Sequence, residues 1–347
     1  MTGNNSVVVR VSAQTDLGLT RDHNEDTFLI ADLTKGTTDF LEAGTATVGP
    51  RGSLFLVADG MGGAAAGEIA SAMAAEAVFE HLRSTWTASG TDSPDDFAAH
   101  LREAVEVANE RIHQYAIAHP GSRGMGTTAT VAAVFGGRLH LAQVGDSRAY
   151  LVRQGLAVQL TKDQSLIQRL IDAGELTEEQ AAHSERRNII LQALGPDARI
   201  RVDVTYQDLR QGDLLVLCSD GLSGQVNREE IAQVAAEGPD VAAVGSRLIE
   251  LANERGGPDN ITAVVVRFEG SGLPEPDGVA DLGYHVSPLP EPPTSGEVPS
   301  VLPPDTVEEP PESVPAPAIR RAGSPAIMAA VGIGILLILL VLFLLIR

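Results

Sequence analysis

Residues Leu54–Gly63 read LFLVADGMGG. Five apolar residues, Leu54, Phe55, Leu56, Val57 and Ala58, run straight into a carboxylate, Asp59, and then into Gly60, Gly62 and Gly63. A short unbroken apolar run bounded by glycine is the pattern of a buried strand. A strand end needs a turn, and turns favour Asp and Gly, so Asp59 taken alone reads as a turn residue. The same order of residues recurs, however. Asp146 follows LHLAQVG, Asp220 follows LLVLCS, and Asp259 lies in GPDN directly before ITAVVVRF. Glu25 and Asp26, in RDHNED, stand where another strand begins. If these strands share a sheet stack, their acidic ends can converge on one rim.

The elements around them set the fold class. VVVRVSA, DTFLIAD and SLFLVAD read as strands, followed by two long helices, one from about Gly67 to Trp86 and one that starts after SPDD and runs to about Ala118. In the second, Leu101, Val105, Ala108, Ile112 and Tyr115 recur at helical spacing. Hairpins are expected at Gly136-Gly137 and near Gln154-Gly155. A polar, helix-rich insert fills Thr161 to Leu194, strands return at IRVDVTY and DLLVLCS, a helix covers about Asp240 to Glu254, and ITAVVVRF closes the domain. Strands that alternate with separate blocks of helix, without a βαβ period, predict an α+β layered sandwich.

The 347 residues carry 46 acidic and 25 basic side chains, a net charge of −21. This argues against nucleic acid as a partner, which calls for a basic stripe. One cysteine, Cys218, excludes a disulfide framework, and its place in DLLVLC reads as a buried small hydrophobe. Composition changes after Phe268. Residues 269–325 hold 14 of the 20 prolines and ten acidic residues, with Arg320 and Arg321 the basic ones. Such a stretch buries too little apolar surface to offset its ordering entropy and reads as a disordered linker. Ala326 to Ile346 are 21 uncharged residues in a row. As a helix they span about 31 Å, the thickness of a bilayer's hydrocarbon core. The expected organisation is a folded domain over 1–268, a linker over 269–325 and a single transmembrane helix over 326–346. Arg320 and Arg321 favour a cytoplasmic N-terminal domain at the cell membrane; Met1 to Ser6 is polar and opens no signal peptide.

Converging carboxylates repel and raise one another's pKa unless a cation compensates. The eight histidines show no paired metal spacing, and carboxylates with backbone carbonyls and water suit Mg²⁺ or Mn²⁺. Gly60 fits such a site, because a missing side chain lets a main-chain carbonyl approach an ion. Two ions about 3.5–4 Å apart can share a water, lower its pKa and aim it at phosphorus. Arg21, four residues before Glu25, can offer a bidentate guanidinium to a phosphate dianion, although position alone reads it as a surface arginine.

The blocks RDHNED, VADGMGG, GMGTTATVA, VGDSRAYL, LTKDQS, QALG, CSDGL and GPDNITAVVV occur in an order that resembles the type 2C metal-dependent serine/threonine protein phosphatases, the bacterial branch above all. The resemblance covers about Val8 to Phe268. It implies an α-β-β-α sandwich of two central antiparallel sheets flanked by helices. It implies that Asp59 bridges two metal ions, that Glu25 and the Gly60 carbonyl serve one, and that Asp220 and Asp259 serve the other. Asp146, with Asp220, would form a weaker third site, Arg21 would bind the substrate phosphate, and Asp26 would orient water. Thr127 and Thr128 would be structural, and Thr161 to Leu194 resembles the mobile flap of the family. Two positions depart from the family pattern: Met61 stands where some members carry a histidine, and Gln164 where His is usual. Cys218 has Gly224, not Arg, six residues on, which speaks against a cysteine-based phosphatase loop.

The resulting expectation is a membrane-tethered hydrolase, dependent on Mn²⁺ or Mg²⁺, that removes phosphate from phosphoserine and phosphothreonine in proteins by direct attack of water. Phosphorylated proteins are its expected partners, membrane serine/threonine kinases and their substrates among them. The rival from another class is a catalytically silent phosphoprotein-binding module, which predicts a broken carboxylate set; Asp59, Asp220 and Asp259 are all present.

Overall fold

Strand β4 (Ser53–Met61) shows why LFLVA carries no polar residue. Leu54, Leu56 and Ala58 enter one apolar cluster, Phe55 and Val57 another. Successive side chains of a strand point to opposite faces, and here both faces are covered. The computed structural model describes residues 6–38, 43–62, 66–182, 184, 186 and 189–289.

Two antiparallel sheets form the centre. The first runs in the order β3 (Ala43–Thr47), β1 (Val8–Asp16), β12 (Ile261–Glu269), β11 (Leu214–Cys218), β8 (Arg148–Arg153), β9 (Leu156–Gln159). The second runs β13 (His285–Val286), β10 (Asp203–Asp208), β7 (Arg138–Val144), β6 (Ala129–Phe135), β4, β2 (Asp26–Asp32), with the short β5 (Gly126–Thr127) paired to the end of β4. Helices α1 (Ala66–Ser84) and α2 (Pro94–Ala118) cover the second sheet; α6 (Arg228–Glu237) and α7 (Val241–Glu254) cover the first. Short helices α3 (Leu166–Asp172) and α4 (Glu178–Ala182) occupy the insert, and α5 (Asp220–Ser223) follows β11.

Three apolar layers hold the sandwich. Leu54, Leu56, Ala74, Leu82, Trp86 and Leu101 pack sheet two on α1 and α2. Val11, Phe55, Val57, Leu217 and Val264 fill the space between the sheets. Cys218, Ile231, Val244, Leu248 and Val265 pack sheet one on α6 and α7. Burial on both faces makes β4, β11 and β12 continuous apolar runs although every strand pair is antiparallel. The two hairpin turns fall where expected, with left-handed backbone at Gly136 and Gly137 and at Gln154 and Gly155. Ser93 caps α2 by accepting from the amides of Asp95 and Asp96.

Several boundaries differ from the sequence expectation. Helix α1 stops at Ser84, and Trp86 lies in the following turn with its indole N–H donated to the Arg51 carbonyl. Strands β3 and β13 and helix α6, which opens on a capping box of Asn227 and Glu230, add to the expected elements. The stretch expected to open the linker at Glu269 is instead folded through Leu289. Residues 269–289 remain on the domain: Leu273 is buried in the layer between the sheets, Asp281 bonds Arg153, and β13 extends sheet two. The buried Arg153 guanidinium, paired with Asp213, explains this hold on an otherwise polar strand of chain. No helix among the described residues is long and apolar enough to cross a membrane. The expected span over 326–346, and the rest of the linker, lie outside the described residues.

Candidate active site

Alternation along the strands decides which way the acidic ends face. Phe55 and Val57 of β4 point between the sheets, and Asp59 continues their face. On β2, Phe28 and Ile30 pack into the same layer, and Asp26 continues theirs. Asp26 and Asp59 are direct partners across the β2–β4 pair. From sheet one, Leu215 and Leu217 place Ser219 on the inter-sheet side, and Val264 and Val266 place Thr262 there. Ser219 Oγ and Thr262 Oγ1 both donate to Asp26 Oδ2, at 2.7 and 2.6 Å. The carboxyl of Asp26 therefore joins the two sheets at the rim where the acidic ends meet.

Burial pushes the Asp26 carboxyl up to about 7; the two hydroxyl donors pull it down, and Asp220 and Asp259 push it further up. Asp59 is held well above the ordinary carboxylate range, first by burial and then by the charges of Asp26, Asp220, Asp146 and Asp259. Asp220 is raised by burial and by the charge of Asp259, against a downward pull from Asp59. Burial, with Asp220, pushes Asp146 up to about 7. Glu25 is raised by burial, against the pull of Arg21 and the Gly67 amide. Arg21 reaches across to Asp259, Nη2 to Oδ2 at 2.7 Å, and keeps about half its side chain exposed. The structure thus brings Arg21, Glu25, Asp26, Asp59, Gly60, Asp146, Asp220 and Asp259 together at one rim.

The backbone around Gly60 is tightly closed. A Cβ there would lie 2.3 Å from the Gly67 carbonyl oxygen and 2.5 Å from that of Glu25. A Cβ on Gly67 would lie 2.7 Å from the Glu25 carboxylate. Two glycines let the start of α1, the end of β4 and the Glu25 loop touch, with the Gly60 N–H donated to the Glu25 carbonyl at 3.1 Å.

Supporting residues went unnoticed in the sequence. Asn260 accepts from the Glu25 amide and donates to the carbonyls of Leu17 and His23, so it ties the Arg21 loop to Asp259. Ser71 donates to the Glu25 carbonyl. Ser219 and Thr262 hold Asp26, as described. Their only sequence signal is nearness to an acidic residue: Ser219 directly precedes Asp220 in CSD, and Thr262 lies three residues after Asp259 in DNIT. Thr127 and Thr128 do take the structural part expected of them: Thr127 donates to the Asp59 carbonyl, and Thr128 accepts from the Asp59 amide. Gln164 spans the base of the insert. Its Oε1 accepts from the Gly145 amide, next to Asp146, and its Nε2 donates to Asp203 Oδ2. Leu194, at the other end of the insert, exchanges backbone hydrogen bonds with Thr127.

The donor set can be tested for cations on the structure itself. Oδ1 of Asp26 and Oδ1 of Asp146 are buried without a hydrogen-bond partner. Arg148, the cation beside Asp146, is engaged with Asp163 at 2.7 Å and with Tyr150. Buried carboxyls with high proton affinity, orphaned oxygens and few basic partners fit hard divalent cations such as Mg²⁺ or Mn²⁺. Around such ions the arrangement can bind a phosphate and present a water to it.

Residues 39–264 match the family model described as protein phosphatase 2C. The serine/threonine protein phosphatase PstP of Mycobacterium tuberculosis is 40% identical over 261 residues, 75% of this chain and 45% of the relative, so this chain spans about half that protein's length. The serine/threonine phosphatase stp of Listeria monocytogenes is 34% identical over 253 residues, 73% of this chain and 93% of the relative. Among solved structures, the catalytic domain of PstP in complex with two manganese ions superposes with a TM-score of 0.62 at 38% identity, covering 76% of this chain and 100% of that one.

Proposed function

Because the chain belongs to the protein phosphatase 2C family, we propose that it hydrolyses phosphoserine and phosphothreonine in proteins with the help of bound Mn²⁺ or Mg²⁺. The observation that carries this reading is the rim of carboxyls held above their ordinary range, with two buried oxygens lacking partners. Asp59 would lie between two ions, Glu25 and the Gly60 carbonyl would hold one, Asp220 and Asp259 the other, and Asp146 with Asp220 a third. When bound, the ions supply charge compensation and an acidified water for attack on phosphorus.

The chain's own residues do the rest. One nitrogen of the Arg21 fork holds Asp259, which leaves further donors for the phosphate oxygens. Asp26, fixed by Ser219 and Thr262, keeps an unpartnered oxygen that can orient the attacking water. Thr127 and Thr128 lock the Asp59 backbone from both sides, so its carboxylate is preorganised. Met61 has no proton to give, and the departing serine or threonine oxygen takes its proton from solvent or from a carboxyl.

Release of phosphate from a phosphothreonine peptide tests this reading. Turnover is expected with Mn²⁺ and lost on chelation, and Asp59→Asn should lose both metal and turnover. Absence of turnover by the unaltered chain under excess Mn²⁺ would favour the binding module instead.

The same reading places the domain at the cytoplasmic face of the cell membrane, held by 326–346, where it would oppose serine/threonine kinases. Its support is the run of 21 uncharged residues behind an acidic, proline-rich segment. Tethering raises the effective concentration of membrane-bound substrates without new contacts. The chain should stay with membranes through an alkaline carbonate wash, and a chain ending at residue 325 should not.

A further inference from the structure

The last turn of α1 carries a second group of ligating atoms. His81 lies 14 residues beyond Gly67, roughly 21 Å along the helix from the carboxylate rim. Facing it on α2 are His100 and Glu103, one helical turn apart. One ligating atom from each of the three lies within 4.8 Å of the others. His81 Nε2 is 3.5 Å and His100 Nδ1 3.9 Å from the same oxygen, Glu103 Oε2. Both ring nitrogens are buried and neither has a hydrogen-bond partner.

The geometry points to a transition-metal site, of the zinc class, made of His81 Nε2, His100 Nδ1 and the Glu103 carboxylate. A hydrogen-bonded His–Glu pair would bring the oxygen to about 2.7–2.9 Å from a nitrogen, and both nitrogens here lie beyond that distance. Here two imidazoles from different helices stand back from one oxygen by more than a hydrogen bond. Tetrahedral ligands about 2.1 Å from Zn²⁺ lie about 3.4 Å from one another, so a small closure of the three side chains completes the set. Two imidazoles and one carboxylate leave a fourth position for water. Such a donor set selects Zn²⁺ over the hard ions that suit the all-oxygen rim. An ion there would cross-link α1 to α2, the pair that covers the sheet carrying Asp59.

Trp86 is the chain's only tryptophan, and its ring centroid lies 5.8 Å from that of His100. Its emission therefore reports on the site. The full chain is titrated with Co²⁺ under saturating Mg²⁺, and Zn²⁺ is then added as competitor. Bound zinc is counted after dialysis. Expected are quenching of Trp86 by Co²⁺, its reversal by Zn²⁺, and one retained zinc that His81→Gln and Glu103→Gln both abolish while Asp59→Asn keeps it. Zinc should also raise the thermal midpoint of the unaltered chain and leave that of Glu103→Gln unchanged. Glu103 is mostly exposed, so its variant is expected to fold; Mn²⁺-dependent phosphate release by it serves as the folding check. Equal zinc retention by the unaltered chain and Glu103→Gln, or no retention by either, overturns the assignment.

Discussion

Gly60 shows how closely one residue can set the rim. Its hydrogen lies where any Cβ would strike the carbonyls of Gly67 and Glu25. Gly60→Ala must therefore move backbone that aims Glu25, and displacement of a catalytic group by about 1 Å can cost about 10²-fold in rate. A loss of that order in kcat is expected, with the fold retained by circular dichroism. Asp59 gives an opposite pair of effects. Its carboxyl is buried among Asp26, Asp220, Asp146 and Asp259, so Asp59→Asn removes repulsion once metal has been stripped. At pH 8 the stripped variant should be more stable than the stripped parent, although it has lost activity. Calorimetry in chelator measures this.

At the scale of elements, β7 carries an acid-sensitive point. His140 faces α2, with the edge of its ring against Phe97 at 5.1 Å, and neither ring nitrogen has a partner. Burial, with a smaller push from Arg138, lowers its pKa to about 4. The unfolded chain binds a proton there below about 6.5, whereas the folded chain resists until about 4. Stability from this residue is thus full above pH 6.5 and declines as pH falls toward 4, by up to about 3 kcal/mol. His140→Leu should flatten that decline in urea unfolding at pH 4.5 against pH 7.5. The insert offers a second element-level test. Gln164 joins Gly145 to Asp203, so Gln164→Ala leaves a buried amide without its acceptor, at a cost of about 1–3 kcal/mol. It should also loosen Asp146, read as weaker binding of the third ion in a metal titration.

For the molecule as a whole, the closing stretch after β12 completes the domain. Arg153 is buried, bonds Asp213 through two nitrogens and reaches Asp281 with a third. Arg210 binds Asp277, and Leu273 plugs the layer between the sheets. A chain ending at Phe268 loses the contacts of Asp281, Asp277 and Leu273, while one ending at Leu289 keeps them. The shorter chain should be less stable by about 2 kcal/mol or more, seen as an earlier thermal transition in the same buffer with Mn²⁺.

The sequence by itself determined the central strands, the long helices, the two hairpin turns and the acidic residues at the strand ends, though not the edge strands β3 and β13, because alternation, helical spacing and turn chemistry are local properties. It also marked Asp59, Asp220 and Asp259 through their place after or before apolar runs. Only the tertiary structure decided that Asp26 and Asp59 face the same gap, that Ser219 and Thr262 close on Asp26 from the opposite sheet, and that Asn260 holds the Arg21 loop. It likewise extended the domain through 269–289, whose polar composition hides Leu273 and the partners of Arg153 and Arg210, and it brought His81 to His100 and Glu103. Each of these depends on two segments far apart in the chain meeting across a packed layer, and no local pattern carries that information.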